Sequence, residues 1–166
     1  MKRKFLQIFI IAIIVILIGV LIFFSQKRKS EFELVKSDAH EVMKLINEAA
    51  EYVEKAEQGT AGHSWYGVYF GLEKAVLFSD FNQNKKMDEP ALLEYNLSEN
   101  IYFNPERIVF YLPDYELVRF CDTEGICMNE AHHSVTISDT QTGRAMEIRI
   151  EHKTGKMELR EVVDLF

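Results

Sequence analysis

Residues 5–24 read FLQIFIIAIIVILIGVLIFF, residues 31–58 read EFELVKSDAHEVMKLINEAAEYVEKAEQ, and the fold turns on how these two stretches join. The first carries no charge, one amide at Gln7 and one glycine at Gly19. About 20 apolar residues, each rising roughly 1.5 Å, cross a hydrocarbon core of roughly 30 Å. A helix in water needs a polar face and this run has none, so it is a membrane span or a signal sequence. Its flanks are Lys2-Arg3-Lys4 and Lys27-Arg28-Lys29. A cleaved signal has a shorter apolar region followed by small residues before the cut. Here Phe23-Phe24-Ser25-Gln26 runs straight into a basic stop-transfer cluster, which predicts an uncleaved anchor. With three basic residues on each side, charge bias alone does not set the orientation. The short N-terminal tail favours a cytoplasmic N-terminus in the inner membrane, with everything after Lys29 extracytoplasmic.

The second stretch changes from all-apolar to one-sided. Phe32, Val35, Ala39, Val42, Met43, Ile46, Ala49, Ala50, Val53 and Ala56 recur in steps of three and four, the helical period. Leu34, Leu45 and Tyr52 widen the stripe along one edge. No Pro or Gly interrupts residues 20–58, so the two stretches predict one continuous helix from about Phe5 to Gln58. Its length is about 80 Å. Gly59-Thr60-Ala61-Gly62 supplies the stop.

Everything beyond reads as strand. Trp65–Phe70 and Ala75–Phe78 flank a turn at Gly71–Lys74, and a polar loop follows from Ser79 to Pro90. Further strands are expected at Leu92–Leu97, Ile101–Phe103, Arg107–Tyr111, Glu116–Cys121 and Ser134–Ser138. Met146–Glu151 and Met157–Val163 form a last hairpin across Lys153-Thr154-Gly155-Lys156. Short strands at this spacing, with turns between them, indicate an antiparallel meander rather than βαβ units. The predicted class is α+β: an anchor over 1–29, an amphipathic continuation over 30–58, and an antiparallel β domain over 59–166. A sheet with one apolar face needs a cover, and the amphipathic half of the helix supplies it.

Charge narrows the function. Of 19 Lys and Arg, six flank the span, leaving 13 against all 26 Asp and Glu in the outer part. Such an acidic domain binds neither nucleic acid nor an anionic lipid surface. The two cysteines, Cys121 and Cys127, bracket Gly125 at a hairpin tip. They suit a disulfide in an oxidising compartment, against the alternatives of free thiols or a zinc half-site. Asp80, Asn82, Asn84 and Asp88 stand at positions 1, 3, 5 and 9 of a loop, an alternation that suits calcium. Lys85 replaces the glycine of such a loop and Ala91 its final glutamate, so a solvated turn loop is the competing reading. No HExxH, G-x-S-x-G or glycine-rich phosphate loop occurs, and the chain is not read as an enzyme. In Trp65–Phe70, alternation puts Tyr66, Val68 and Phe70 on one face and Trp65 and Tyr69 on the other. One set serves as core, and the other is offered to a partner.

The layout resembles the type IV pilin-like fold, a long N-terminal helix carrying a C-terminal sheet. GHSWYGVYF, AVLFSDFNQNKKMDEP, LLEYNLSENIYF and IVFYLPDYE, in that order, resemble the H-type minor pseudopilins of type II secretion systems and the related fimbrial-biogenesis pilin-like proteins. The motifs cover residues 62–114, and the layout covers the whole chain. The resemblance implies a filament subunit that inserts in the membrane and assembles with other pilin-like subunits and a platform, without catalytic turnover. It also implies that Phe5 is the first mature residue and that Phe9 and Gly19 belong to the assembly helix. At two positions the chain departs from the family, with Lys4 for the glycine before the cleavage point and Phe9 for the glutamate that pairs with a neighbour's amine. The competing class is an uncleaved single-pass protein whose outer domain binds a ligand by itself.

Overall fold

The computed structural model describes residues 2–58, 65–87, 90–104, 107–111, 118–128, 132–151 and 154–162. One helix, α1 (Lys2–Gln58), runs unbroken for 57 residues, about 85 Å of rise. It joins the two stretches without interruption, and no Pro lies within it to break it. From Ile11 to Phe24 its large apolar residues are between 43% and 69% exposed. This is the one segment among the described residues that is long and apolar enough to cross a membrane. Past the basic collar the same helix becomes one-sided. Val35, Ala39, Val42, Leu45, Ile46, Ala49 and Val53 are buried, while Leu34 and Tyr52 at the stripe's edge stay partly exposed.

Among the described residues ten strands follow, and every pairing between them is antiparallel. They are β1 (Trp65–Phe70), β2 (Lys74–Asp80), β3 (Ala91–Asn96), β4 (Ile101–Asn104), β5 (Arg107–Tyr111), β6 (Val118–Cys121), β7 (Cys127–Met128), β8 (His132–Asp139), β9 (Ala145–Glu151) and β10 (Met157–Val162). Instead of a single meander they form two sheets, a six-stranded one ordered β3-β2-β1-β5-β6-β7 and a four-stranded one ordered β10-β9-β8-β4. The departure is made at the Ser98–Asn100 turn, where Ile101 N–H bonds Ser98 C=O at 3.1 Å and Asn100 takes a φ of 67°. Asparagine tolerates that left-handed conformation better than most residues. The turn sends β4 away from β3 to pair with β8, and β5 then returns beside β1.

The helix stripe, the inner face of the first sheet (Val68, Phe70, Ala75, Leu77, Val109, Phe120) and that of the second (Phe103, Val135, Ile137, Ile148, Ile150) share one core. The two sheets therefore cup the helix, which a flat ten-stranded layer could not do. Phe70 meets Phe103 at 5.2 Å and Phe120 stacks on His133 at 4.1 Å, closing the sheets on each other. Tyr52 stacks on Tyr66 at 5.5 Å near the far end of the helix. Arg144 lies over the Phe32 ring at 4.8 Å, at the end of the head nearest the apolar stem. The result is a lollipop, a bare apolar stem and a β head built round the upper half of the same helix.

Candidate functional site

Three places hold the residues singled out from the sequence. The first is the loop after β2. Asp80 is completely buried. Its carboxylate accepts the backbone N–H groups of Asn84 at 3.2 Å and Lys85 at 2.8 Å. The Asn82 side-chain oxygen accepts Asn84 N–H at 2.9 Å, and that of Asn84 accepts Lys86 N–H at 2.8 Å. Gln83 and Lys85 adopt φ of 57° and 63° to allow these turns. The alternating oxygens seen in the sequence are thus employed in folding the loop on itself, the local role for which Asp and Asn are suited. Among the described residues no group of three His, Cys, Asp or Glu is placed to hold a metal ion, and Asp88 lies outside them.

The second place is the tip between β6 and β7, where Cys121 and Cys127 are bonded as a disulfide. They face each other directly in the strand register. Asp122 shapes the loop between them, its carboxylate accepting Glu124 N–H at 3.0 Å and Ile126 N–H at 2.9 Å. Gly125 has a φ of 83°, and a Cβ there would stand 3.1 Å from the Asn84 carbonyl. Both its backbone angle and its closeness to the first loop call for glycine.

These two loops meet, which spacing in the sequence does not show. The loop after β2 reaches across the outer face of the six-stranded sheet to the disulfide tip. Lys86 pairs with Glu124 at 3.5 Å, and Met87 packs with Phe78, Tyr69 and the disulfide in a second, smaller core. The outer face expected to be offered to a partner is therefore largely occupied. Phe78 is fully buried there, while Phe81 and Ile126 are 64% and 68% exposed.

The third place is the helix itself. Phe5, Phe9 and Gly19 all lie on α1, and no neighbouring atom stands within 4 Å of where a Gly19 Cβ would be. Higher on α1 is a residue that sequence reading passed over. Asp38 interrupts the stripe between Val35 and Ala39 yet is only 2% exposed. Its carboxylate accepts the Tyr95 hydroxyl at 2.8 Å, Ser98 N–H at 2.8 Å and the Ser98 hydroxyl at 3.0 Å. Burial first, then the bond to Asp38 and the charges of Asp38 and Glu41, push the Tyr95 hydroxyl well above the usual phenol range. A charged residue inside an otherwise apolar helical stripe was the available signal, because such a group is tolerated only when partnered.

Beside Ser98 the turn after β1 and the β3–β4 turn enclose a groove of about 540 Å³. Leu72, Leu97, Ile101 and Tyr102 form its apolar walls, and Glu73 and Glu99 add two carboxyl groups. Leu97 N–H to Glu73 C=O and Phe103 N–H to Leu72 C=O, both 2.9 Å, hold the two turns together.

No protein-family model, curated protein or solved structure matches the chain.

Proposed function

We propose that this chain is a membrane-anchored minor subunit of a pilin-like filament, of the kind that helps start or cap a type II secretion or type IV pilus-like assembly. The observation that carries the reading is the undivided helix. A single rod is lipid-compatible over its first half and buried under the β head over its second, so insertion of the stem fixes the head directly above the membrane. A flexible tether would leave the head free to rotate. A rigid stem lets neighbouring copies pack stem to stem with their heads in a set arrangement. The N-terminus is cytoplasmic and the head extracytoplasmic, where the Cys121–Cys127 bond persists. The lipid bilayer, other pilin-like subunits and an assembly platform are its partners, and no catalytic turnover is involved.

Lys4 and Phe9 favour a second reading, a permanently anchored protein whose head works alone, since the family's cleavage glycine and assembly glutamate are replaced there. Two measurements separate the two. Mass spectrometry of the chain purified from its own membrane gives a start at N-methylated Phe5 for a processed subunit and at Met1 for a permanent anchor. Co-isolation with sheared surface filaments establishes membership even when Met1 is intact. An intact chain absent from every filament fraction overturns the filament reading.

A further inference from the structure

The acidic groove and the basic collar lie close in height. Ser98, on the groove, is bonded to Asp38, nine positions along the unbroken helix from Lys29, about 14 Å of rise. Thr140, also on the groove, stands in the β8–β9 turn with Arg144, whose guanidinium covers Phe32, only three positions or about 5 Å beyond Lys29. Because the helix is continuous, a chain's collar cannot fold back into its own groove. Two copies anchored in one membrane, however, have their spans at the same depth, so one copy's collar and its neighbour's groove fall within a single narrow layer. The chemistry of the two also matches. No Lys or Arg lines the groove among the described residues, and its apolar walls carry carboxylates at Glu73 and Glu99. Lys and Arg side chains want such a surface, with methylene stems along apolar walls and charged ends on carboxylates. Lys27, Arg28 and Lys29 are exposed, and Lys27 has only a surface contact to Glu31 at 3.6 Å, a kind of pair that contributes little and yields readily.

We propose that the groove receives the Lys27-Arg28-Lys29 collar of a second copy of this chain, their stems on Leu72, Leu97 and Tyr102 and their charges on Glu73 and Glu99. The contact rests on the anchored reading, since it needs both copies in one bilayer, but it does not need a filament. It gives a head-to-collar contact that repeats from copy to copy, because each chain carries both halves.

The test uses the full-length chain in membranes, with the photoreactive residue benzoylphenylalanine replacing Tyr102. Irradiation should give a cross-linked dimer whose linked peptide maps to residues 25–31. Reversing the groove charges with Glu73→Lys and Glu99→Lys should cut the dimer yield about tenfold, as like charges now face each other. Adding Lys27→Glu and Lys29→Glu to that variant should restore it, with protease protection of the head confirming unchanged orientation. Glu73 and Glu99 are exposed, so a native circular dichroism spectrum is expected of each variant. A dimer mapping elsewhere, no dimer, or a yield indifferent to the reversal overturns the contact. Carbonate extraction of the same membranes separates the two failures. A chain that washes off overturns the anchored reading and the contact with it, whereas a retained chain lacking a groove-dependent dimer overturns the contact alone.

Discussion

Replacing Asp38 by alanine tests the joint between helix and sheet. The residue accepts three hydrogen bonds at 2.8, 2.8 and 3.0 Å from Tyr95 and Ser98, and it is 2% exposed. Hydrogen bonds to a charged acceptor contribute roughly 1.5–3 kcal/mol each, so the gross loss is on the order of 5–9 kcal/mol. Against that, removing a desolvated carboxylate relieves a penalty of several kcal/mol. Tyr95 and Ser98 are only half-buried and regain water once released, which recovers more. The balance is a destabilisation of about 3 kcal/mol, at the low end for breaking a buried polar group's contacts. For a chain of this size each kcal/mol moves the melting temperature by about 3 °C, giving a fall of about 9 °C. Asp38→Asn keeps the volume but loses the charge and turns an NH2 towards donors, and should cost about half as much. Ser98→Ala keeps the backbone bond and should cost about 1 kcal/mol. The assay is thermal unfolding of the full chain in detergent micelles, followed by near-ultraviolet circular dichroism so that the micelle-held stem does not dominate. An Asp38→Ala variant within about 0.5 kcal/mol of the parent, the range of an ordinary surface substitution, would refute the assignment of this carboxylate as the joint.

Three further outcomes follow from the same contacts. Because Tyr95 is held protonated in the folded chain, the folded state keeps a proton that the unfolded state gives up above pH 10.0, so stability is fully present below that pH and declines as pH rises beyond it. Denaturant titrations between neutral pH and pH 11 should show this decline, and Tyr95→Phe should shrink it. Replacing both cysteines by serine should cost about 2 kcal/mol, as expected for a short disulfide loop. It should also speed amide hydrogen exchange over residues 81–87, which rest on the tip through Met87 and the Lys86–Glu124 pair, and unchanged exchange there would mean the loop holds itself. Gly125→Ala should lower stability by about 1–2 kcal/mol, because it puts a side chain at a φ of 83° and against the Asn84 carbonyl, and a chemical-denaturation midpoint measures it.

The sequence carried the helix, its break-free passage from the apolar stem to the core, the strands and the cysteine pairing, because each depends on local period or local turn chemistry. The stripe from Val35 to Val53 was visible as a 3.6-residue repeat, and nearly every strand lies within a residue or two of its expected place. What the sequence did not carry is everything set by sheet order. Nothing local to Asn-Leu-Ser-Glu-Asn at 96–100 says that β4 leaves one sheet for the other, since the same turn residues would serve a plain hairpin. The contact between the loop after β2 and the disulfide tip spans some forty residues of chain and depends on β1 and β5 lying between them. Asp80 and its asparagines were noticed for the right reason, oxygens in alternation, but whether such oxygens turn outward to an ion or inward to backbone amides is decided by the path of the loop. Here Asp80, Asn82 and Asn84 each accept a backbone amide, and Asp88 lies outside the described residues.

The same distinction explains why Asp38 matters more than its size suggests. The buried stripe is built from Val, Ala, Val, Ile and Ala at one-turn intervals, residues close enough in volume that the helix sliding by one turn, about 5.4 Å, would still set apolar groups against the sheets. Apolar burial is non-directional and distinguishes such registers weakly. A carboxylate at one position does distinguish them, since only the observed register meets Tyr95 and Ser98 with it, and a shift of one turn would bury it without partners. Because the helix is continuous, that register also sets how far the β head stands from the collar at Lys27–Lys29. A single buried charge therefore helps set the distance between the collar and the groove at Leu72–Tyr102, the dimension on which the proposed contact between copies depends.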